Sequence, residues 1–147
     1  MPSARSKPVN CWGIMSPENQ YKGLITKETI NSEKLRDFFE ELSLSINDDI
    51  PRVVILDNAS VHKSKMIREK VGLWQERGLY FFFLPPYSPH MNKIEILWKH
   101  MKGRWIRPQD YDSEDTLWER IEHITGNLGG EFSIDFSTVV DEAKRLE

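Results

Sequence analysis

The feature that most constrains the fold is a pair of short apolar runs separated by one amphipathic segment. The runs are Arg52–Leu56 and Tyr80–Leu84, and neither alternates apolar with polar residues, which predicts strands covered on both faces. Between them, the helical spacing of apolar residues in Ser64–Arg77, followed by Gly78, predicts a helix. A strand, a helix and a second buried strand form a βαβ unit with parallel strands. Asp57 directly follows the first strand, at the end where such sheets bind ligands.

The rest of the chain predicts a hairpin and further helices. Val9–Met15 and Tyr21–Thr29 flank a turn at Ser16–Asn19, which predicts a β-hairpin weakened by Gly23. Apolar periodicity predicts helices at Leu35–Leu42 (capped by Asn31 or Ser32), Ile94–Trp105, Ser113–Asn127 and Ser137–Leu146. The stripe that carries Trp98 and Trp105 is interpreted as core rather than as a base-stacking surface. Pro85–Pro89 is a stiff connector that fixes where the Ile94–Trp105 helix begins.

Size and composition indicate one globular domain of 147 residues, 39 % of them hydrophobic. We divide it into a lead-in (1–8), an α/β core (9–109) and an acidic helical segment (110–147). That last segment holds eleven acids and three bases, a net charge of -8, and leaves +5 on the rest of the chain. The sequence offers no apolar run long enough to span a membrane and no signal peptide, and Cys11 is its one cysteine. A cytoplasmic protein without a membrane partner is expected.

Two long, ordered blocks carry a family resemblance. DNASVH at Asp57–His62, followed by LPPYSPHMNKIEILW at Leu84–Trp98, resembles the DDE transposases of the mariner superfamily, in its bacterial insertion-sequence branch. The resemblance implies an α/β fold of the ribonuclease H-like type, a mixed sheet with helices on both faces. It also implies DNA cleavage and strand transfer at transposon ends with Mg²⁺ or Mn²⁺. Asp57 then corresponds to the second acid of the catalytic triad and Glu95 to the third.

Other residues match the same blocks or depart from them. Asn58, His62 and Asn92 fall on motif positions, whereas Lys93 stands where the family usually has proline. The family's first Asp lies on a central strand that should precede Val9–Met15, but the eight residues before Val9 include no acid. The resemblance therefore implies an N-terminally truncated catalytic domain that lacks its first, central strand and the family's helix-turn-helix region.

Such a chain would need the missing strand in cis or from a partner chain to be active. The alternative is a non-catalytic remnant that acts as a DNA-binding or dimerising module. Unpaired strand edges invite pairing with another chain, which gives a homodimer or strand exchange. The hairpin could instead close directly onto the strand that ends at Leu56. The sequence does not decide among these arrangements.

Each candidate site residue has a structural interpretation beside the functional one. Asp57 is a metal ligand or an Asp that bonds the turn after its strand. Glu95 is a metal ligand or the partner of Asn92 in a capping box, and Asn92 is a helix cap first and a site residue second. His62 is a proton carrier near the metal, a DNA contact or a surface histidine at a helix start.

Two groups of basic residues predict contacts with DNA phosphates, or else solvated helix faces. The first is the run Lys99, His100, Lys102, Arg104 and Arg107, which is free of acids. The second lies near Asp57 and comprises Lys63, Lys65, Arg68 and Lys70. Contacts of this kind would position DNA without reading its sequence.

Overall fold

The computed structural model describes residues 9–86 and 92–136, which contain four strands, four α-helices and three short 3₁₀- or π-helical segments. The fold is mixed α/β, as predicted. Two compact units divide the chain. One comprises Ile30–Asn92, and the other comprises Met1–Thr29 with Lys93–Glu147. The predicted segment boundary at residue 109 stays a prediction.

The Ile30–Asn92 unit contains the predicted βαβ arrangement. β3 (Arg52–Leu56) pairs in parallel with β4 (Leu79–Phe83), and α2 (Lys65–Glu76) connects them. Ser64 caps α2 by accepting a hydrogen bond from the Ile67 backbone N–H. Gly78 follows the helix with φ +96°, a left-handed conformation that glycine adopts without strain. The local sequence signals were therefore sufficient to predict this unit.

One face of the β3–β4 sheet is covered by α2 and by α1 (Ser32–Leu44). Leu35, Phe39, Ile67 and Trp74 of the two helices are all buried. The ring of Phe39 lies 4.8 Å from that of Phe81 on β4 and 5.6 Å from that of Trp74. This aromatic cluster is the centre of the unit.

A partly buried ion pair also ties α1 to the C-terminal end of α2. The Glu40 carboxylate accepts hydrogen bonds from Trp74 Nε1 at 2.9 Å and from Arg77 Nη1 at 2.6 Å. The hydrogen bond from Arg77, and to a smaller extent the one from Trp74, holds the pKa of Glu40 below its ordinary value.

The other face of the β3–β4 sheet corrects the sequence prediction. Val53, Ile55, Tyr80 and Phe82 are exposed, Val53 by 63 %. The strands are therefore not covered on both faces, nor does this sheet have helices on both faces within the described residues. A continuous apolar run shows that its residues favour burial, but it does not show what covers them. Here α1 and α2 cover only the face that carries Val54 and Leu56.

In the second unit, β1 (Asn10–Met15) and β2 (Tyr21–Thr26) form the predicted antiparallel hairpin. Gly23 lies opposite Gly13, and a Cβ atom on either would collide with the ring of Tyr21. Gly23 therefore makes room for an aromatic side chain rather than merely weakening the strand. The described strands thus form two separate two-stranded sheets, not the single mixed sheet that was predicted.

The hairpin packs on helices from the later part of the chain. α3 (Lys93–His100) continues as a π-helix over Met101–Trp105, a short 3₁₀-helix covers Pro108–Asp112, and α4 (Glu114–Gly126) follows. Their shared core consists of Leu97, Met101, Ile121, Ile124, Phe132, Ile134 and Phe136. Trp98 and Trp105 pack against it, in agreement with their interpretation as core residues.

The hairpin turn closes this unit. Asn19 has φ 66°, and its side chain exchanges two hydrogen bonds with the backbone of Ile134, at 2.7 and 3.0 Å. The predicted Ser137–Leu146 helix and most of the proline-rich connector lie outside the described residues. None of the described helices combines the length and the apolar composition that a membrane crossing requires.

Candidate active site

Asp57 lies at the carboxyl end of β3, where its sequence position predicted it. Its Oδ1 accepts a hydrogen bond from the Ala59 backbone N–H at 2.9 Å, so the Asp does bond the turn that follows the strand. The side chain is 45 % exposed. Its Oδ2 has no hydrogen bond to the part of the chain that the structure describes. The structural role therefore occupies one carboxylate oxygen and leaves the other for a ligand.

His62 contacts the same carboxylate. It belongs to a 3₁₀-helix, Ser60–Lys63, and is only 5 % exposed. Its Nδ1 lies 2.9 Å from Asp57 Oδ1 and 3.3 Å from the Asp57 carbonyl oxygen. When Nδ1 carries a proton, it donates a hydrogen bond to the Asp57 carboxylate, and the ring then fixes the orientation of that carboxylate. The interpretation of His62 as a surface histidine is wrong, because the tight 3₁₀ turn directs the ring inward.

Glu95 and Asn92 occupy the start of α3. Glu95 is exposed in the first turn of the helix. Asn92 is buried and directly precedes the helix, in the position of an N-cap residue. Asp57, His62 and Asn92 belong to the Ile30–Asn92 unit, and Glu95 belongs to the other. The structure brings Asp57 and His62 together, and the convergence of Glu95 on them stays a prediction.

The donor set at Asp57 suits a hard divalent cation as one ligand among several, since carboxylate oxygen is the ligand that Mg²⁺ prefers. No group of three or more His, Cys, Asp or Glu side chains able to hold a metal ion occurs within residues 9–86 and 92–136. Further ligands would have to join Asp57 for a complete site.

Most of the predicted DNA-binding residues are exposed. Lys99, Lys102 and Arg104 lie on α3 and its π-helical extension and form no ion pair within the described ranges. In the other unit Lys63, Lys65 and Arg68 are exposed as well. Lys65 pairs loosely with Glu69, at 3.7 Å between exposed side chains. Such pairs contribute little to stability and leave the lysine available to an anion.

Arg107 differs from the rest of its run. Its guanidinium forms an ion pair with Asp110, with Nη2 3.0 Å from Oδ1. Asp110 is buried, and the hydrogen bonds from Arg107 hold its pKa below the ordinary value. Arg120 also reaches this carboxylate, with Nε 3.6 Å from Oδ2. This cluster was not predicted from the sequence, although Pro108 followed two residues later by Asp110 is a helix-start signal.

Fold and geometry together define a class of protein, a mixed α/β domain with an acidic site at the carboxyl end of a parallel strand. Residues 1–118 match the family model described as DDE superfamily endonuclease. Since that match covers 118 of the 147 residues, the chain belongs to the DDE superfamily of endonucleases. The family is one of transposase-like nucleases, which act on DNA and generally use divalent metal ions.

The chain is also similar to an uncharacterized protein, y4pE/y4sA, of Sinorhizobium fredii (strain NBRC 101917 / NGR234). The two are 28 % identical over 85 residues, which are 56 % of this chain and 58 % of that protein. The matched region thus spans little more than half of that relative.

Proposed function

We propose that this chain is the catalytic domain of a DNA transposase that cuts DNA strands and joins them to new sites. The observation that carries the proposal is the Asp57 carboxylate at the end of β3, oriented by buried His62 at 2.9 Å and presenting a second oxygen without a hydrogen bond to described residues. The ribonuclease H-like arrangement, the mariner-like insertion-sequence branch and a place in the bacterial cytoplasm are parts of the same proposal.

The residues have separate roles in the proposed site. Asp57 and Glu95 are the two carboxylates that hold Mg²⁺ or Mn²⁺. When bound, such an ion activates the attacking hydroxyl and offsets charge on the leaving oxygen. His62 positions the Asp57 carboxylate, and Asn92 caps α3 so that its first turn holds Glu95 in place. A third carboxylate, from polypeptide outside the described residues or from a partner chain, completes the site.

The exposed bases supply the proposed DNA contacts. Lys99, Lys102 and Arg104 follow Glu95 along one continuous helical segment, and Lys63 follows His62 directly. Lysine and arginine bind backbone phosphates by charge, so these residues would place DNA at the acids without reading its sequence. Transposon ends are the proposed substrate.

Metal binding and DNA nicking test the proposal together. Mn²⁺ binding is followed by electron paramagnetic resonance for the wild type, Asp57→Asn and Glu95→Gln. Nicking of supercoiled DNA is measured for the same proteins with Mn²⁺. Glu76→Gln is the matched control, because Glu76 is an exposed acid at the end of α2 without an ion pair among described residues.

We expect Asp57→Asn and Glu95→Gln each to weaken Mn²⁺ binding, since a weak two-carboxylate site loses half its charged ligands, and Glu76→Gln to leave it unchanged. Mn²⁺ binding without nicking supports an incomplete carboxylate set. Robust nicking abolished by Asp57→Asn supports catalysis and refutes the need for a third acid. Unchanged Mn²⁺ binding in both variants refutes the proposed site.

The second candidate is a non-catalytic module that binds DNA or dimerises. The exposed apolar face of the β3–β4 sheet favours it, because exposed apolar patches often mark association surfaces. β3 also pairs on one side only within the described residues. Sedimentation equilibrium tests the dimerising form of this candidate. A concentration-dependent dimer disrupted by Ile55→Lys supports dimerisation, whereas a monomer at all concentrations refutes it.

A further inference from the structure

The segment after α3 forms an open groove of about 380 Å³ that no part of the proposed catalytic site uses. Two arginines, Arg107 and Arg120, line it together with Gln109, Glu119 and His123, and Asp110 contributes to its wall. All of these residues belong to the Met1–Thr29 and Lys93–Glu147 unit.

Buried Asp110 holds both guanidinium groups. Its Oδ2 accepts hydrogen bonds from the Arg107 backbone N–H at 2.7 Å and from Arg107 Nε at 3.1 Å, while Oδ1 accepts from Arg107 Nη2 at 3.0 Å. Arg120 Nε lies 3.6 Å from the same carboxylate and donates to the Trp105 carbonyl oxygen at 2.9 Å. Asp110 therefore binds the Nε and Nη2 side of the Arg107 guanidinium and lies beside the Nε of Arg120.

The remaining N–H groups are available to a ligand. A guanidinium carries five N–H donors. Neither Arg107 Nη1 nor the two terminal nitrogens of Arg120 donate a hydrogen bond to any residue in the described ranges. Arg120 is further immobilised over the ring of Phe132, with 5.4 Å from its Cζ to the ring centroid, and its side chain is only 18 % exposed. Two guanidinium groups that line one groove, each with N–H groups not bonded to described residues, can bind a phosphate through paired hydrogen bonds.

The local charge makes this a directional site rather than a general basic patch. Asp110 and Glu119 offset the two arginines, and His123 already contacts Glu131, with 2.9 Å between Nε2 and a carboxylate oxygen. The charges of the groove lining therefore cancel, and because residues 110–147 carry a net charge of -8, the surroundings do not attract an anion. A ligand gains its binding energy from the positions of the donors, which favours a group with several acceptor oxygens in fixed geometry.

We propose that this groove binds a phosphodiester group of the DNA backbone through Arg107 and Arg120, with Asp110 as the residue that positions both. The proposal rests on the proposed function, since DNA is the ligand only if the chain acts on DNA. It adds a defined phosphate contact that is separate from the exposed lysines.

The experiment measures binding of a labelled short duplex by fluorescence anisotropy at several salt concentrations, with EDTA present so that metal binding plays no part. Arg107→Gln and Arg120→Gln are compared with Arg36→Gln. Arg36 is the matched control because it lies on α1, pairs with Asp37 and belongs to none of the proposed DNA contacts. Circular dichroism checks that each variant is folded.

We expect each of the two groove variants to bind the duplex several-fold more weakly. Each should also reduce the slope of the logarithm of the binding constant against the logarithm of the salt concentration by about one. Arg36→Gln should match the wild type. Arg120→Lys keeps the positive charge but loses the paired N–H donors of the guanidinium. It should therefore weaken duplex binding and leave its salt dependence unchanged. If Arg120→Gln fails to fold, Arg107→Gln tests the same groove, since the Arg107 side chain is 51 % exposed.

Inorganic phosphate and a mononucleotide are added in parallel to distinguish the sources of the anion. These anions could protect the wild type but not Arg120→Gln against thermal unfolding. If they do so while the two proteins bind the duplex equally well, DNA is refuted as the ligand. If both groove variants bind the duplex as the wild type does, while Asp57→Asn still weakens Mn²⁺ binding, the phosphate site in the groove is refuted and the proposed function is not. A wild type without any duplex binding refutes this proposal and counts against the proposed function as well.

Discussion

The buried carboxylate of Asp110 gives the sharpest prediction about stability. Asp110→Asn keeps the shape of the side chain and removes its charge. The amide retains one oxygen, enough for the hydrogen bond from the Arg107 backbone N–H, but the pairing with two guanidinium groups is lost. Every other contact of the 3₁₀-helix is left in place.

The expected cost follows from these contacts. A hydrogen bond to a charged group contributes about 1.5–3 kcal/mol when buried, and a solvent-exposed ion pair contributes much less. Because the Arg107 guanidinium is half exposed, we expect Asp110→Asn to lower the free energy of unfolding by about 1–2 kcal/mol at neutral pH. The control is Asp112→Asn, which removes the same charge from an exposed neighbour and should cost close to nothing.

The pH dependence has a definite sign. Arg107 lowers the pKa of Asp110 in the folded protein, so the stabilisation is fully present above the unfolded pKa of about 3.9 and is lost as the pH falls through the folded value. The difference between wild type and Asp110→Asn should therefore be constant near neutrality and should shrink below about pH 4.

Urea unfolding, followed by the fluorescence of the five tryptophans, measures these differences at each pH. Destabilisation of equal size in Asp110→Asn and Asp112→Asn would show that only net charge matters. A difference that persists undiminished in acid would show that the ionised form of Asp110 is not what stabilises the fold. Either result would refute the reasoning.

Three further predictions concern the remaining elements. Gly23→Ala should destabilise the protein by about 1–3 kcal/mol, because its Cβ would lie 2.5 Å from a backbone carbonyl oxygen. As the control, Gly72→Ala places a Cβ that meets nothing within 4 Å, and it should be neutral or stabilising in the same urea titration. Asn31→Ala should cost about 1 kcal/mol of unfolding free energy through loss of the α1 cap, and Asn31→Ser should retain most of it. Burial raises the pKa of Cys11 to about 11, so its thiol should react with a disulfide reagent about 100-fold more slowly than a free cysteine at pH 8, and equal rates would refute this.

Local signals were enough for most of the secondary structure. The cap at Asn31, the stop at Gly78 and the turn before Tyr21 each depend on a few adjacent residues, so the sequence alone placed α1, α2 and the hairpin. The position of Asp57 was equally predictable, since it follows from the end of an apolar run.

The contacts that define the candidate sites were decided by tertiary structure. The sequence could not show that a 3₁₀ turn directs His62 against Asp57, or that Arg120 on α4 meets the carboxylate that Arg107 also binds. Nor could an apolar run reveal that one face of β3 is left exposed. Hydrophobic periodicity specifies which residues favour burial, whereas the three-dimensional arrangement of the chain determines which surfaces are present to bury them.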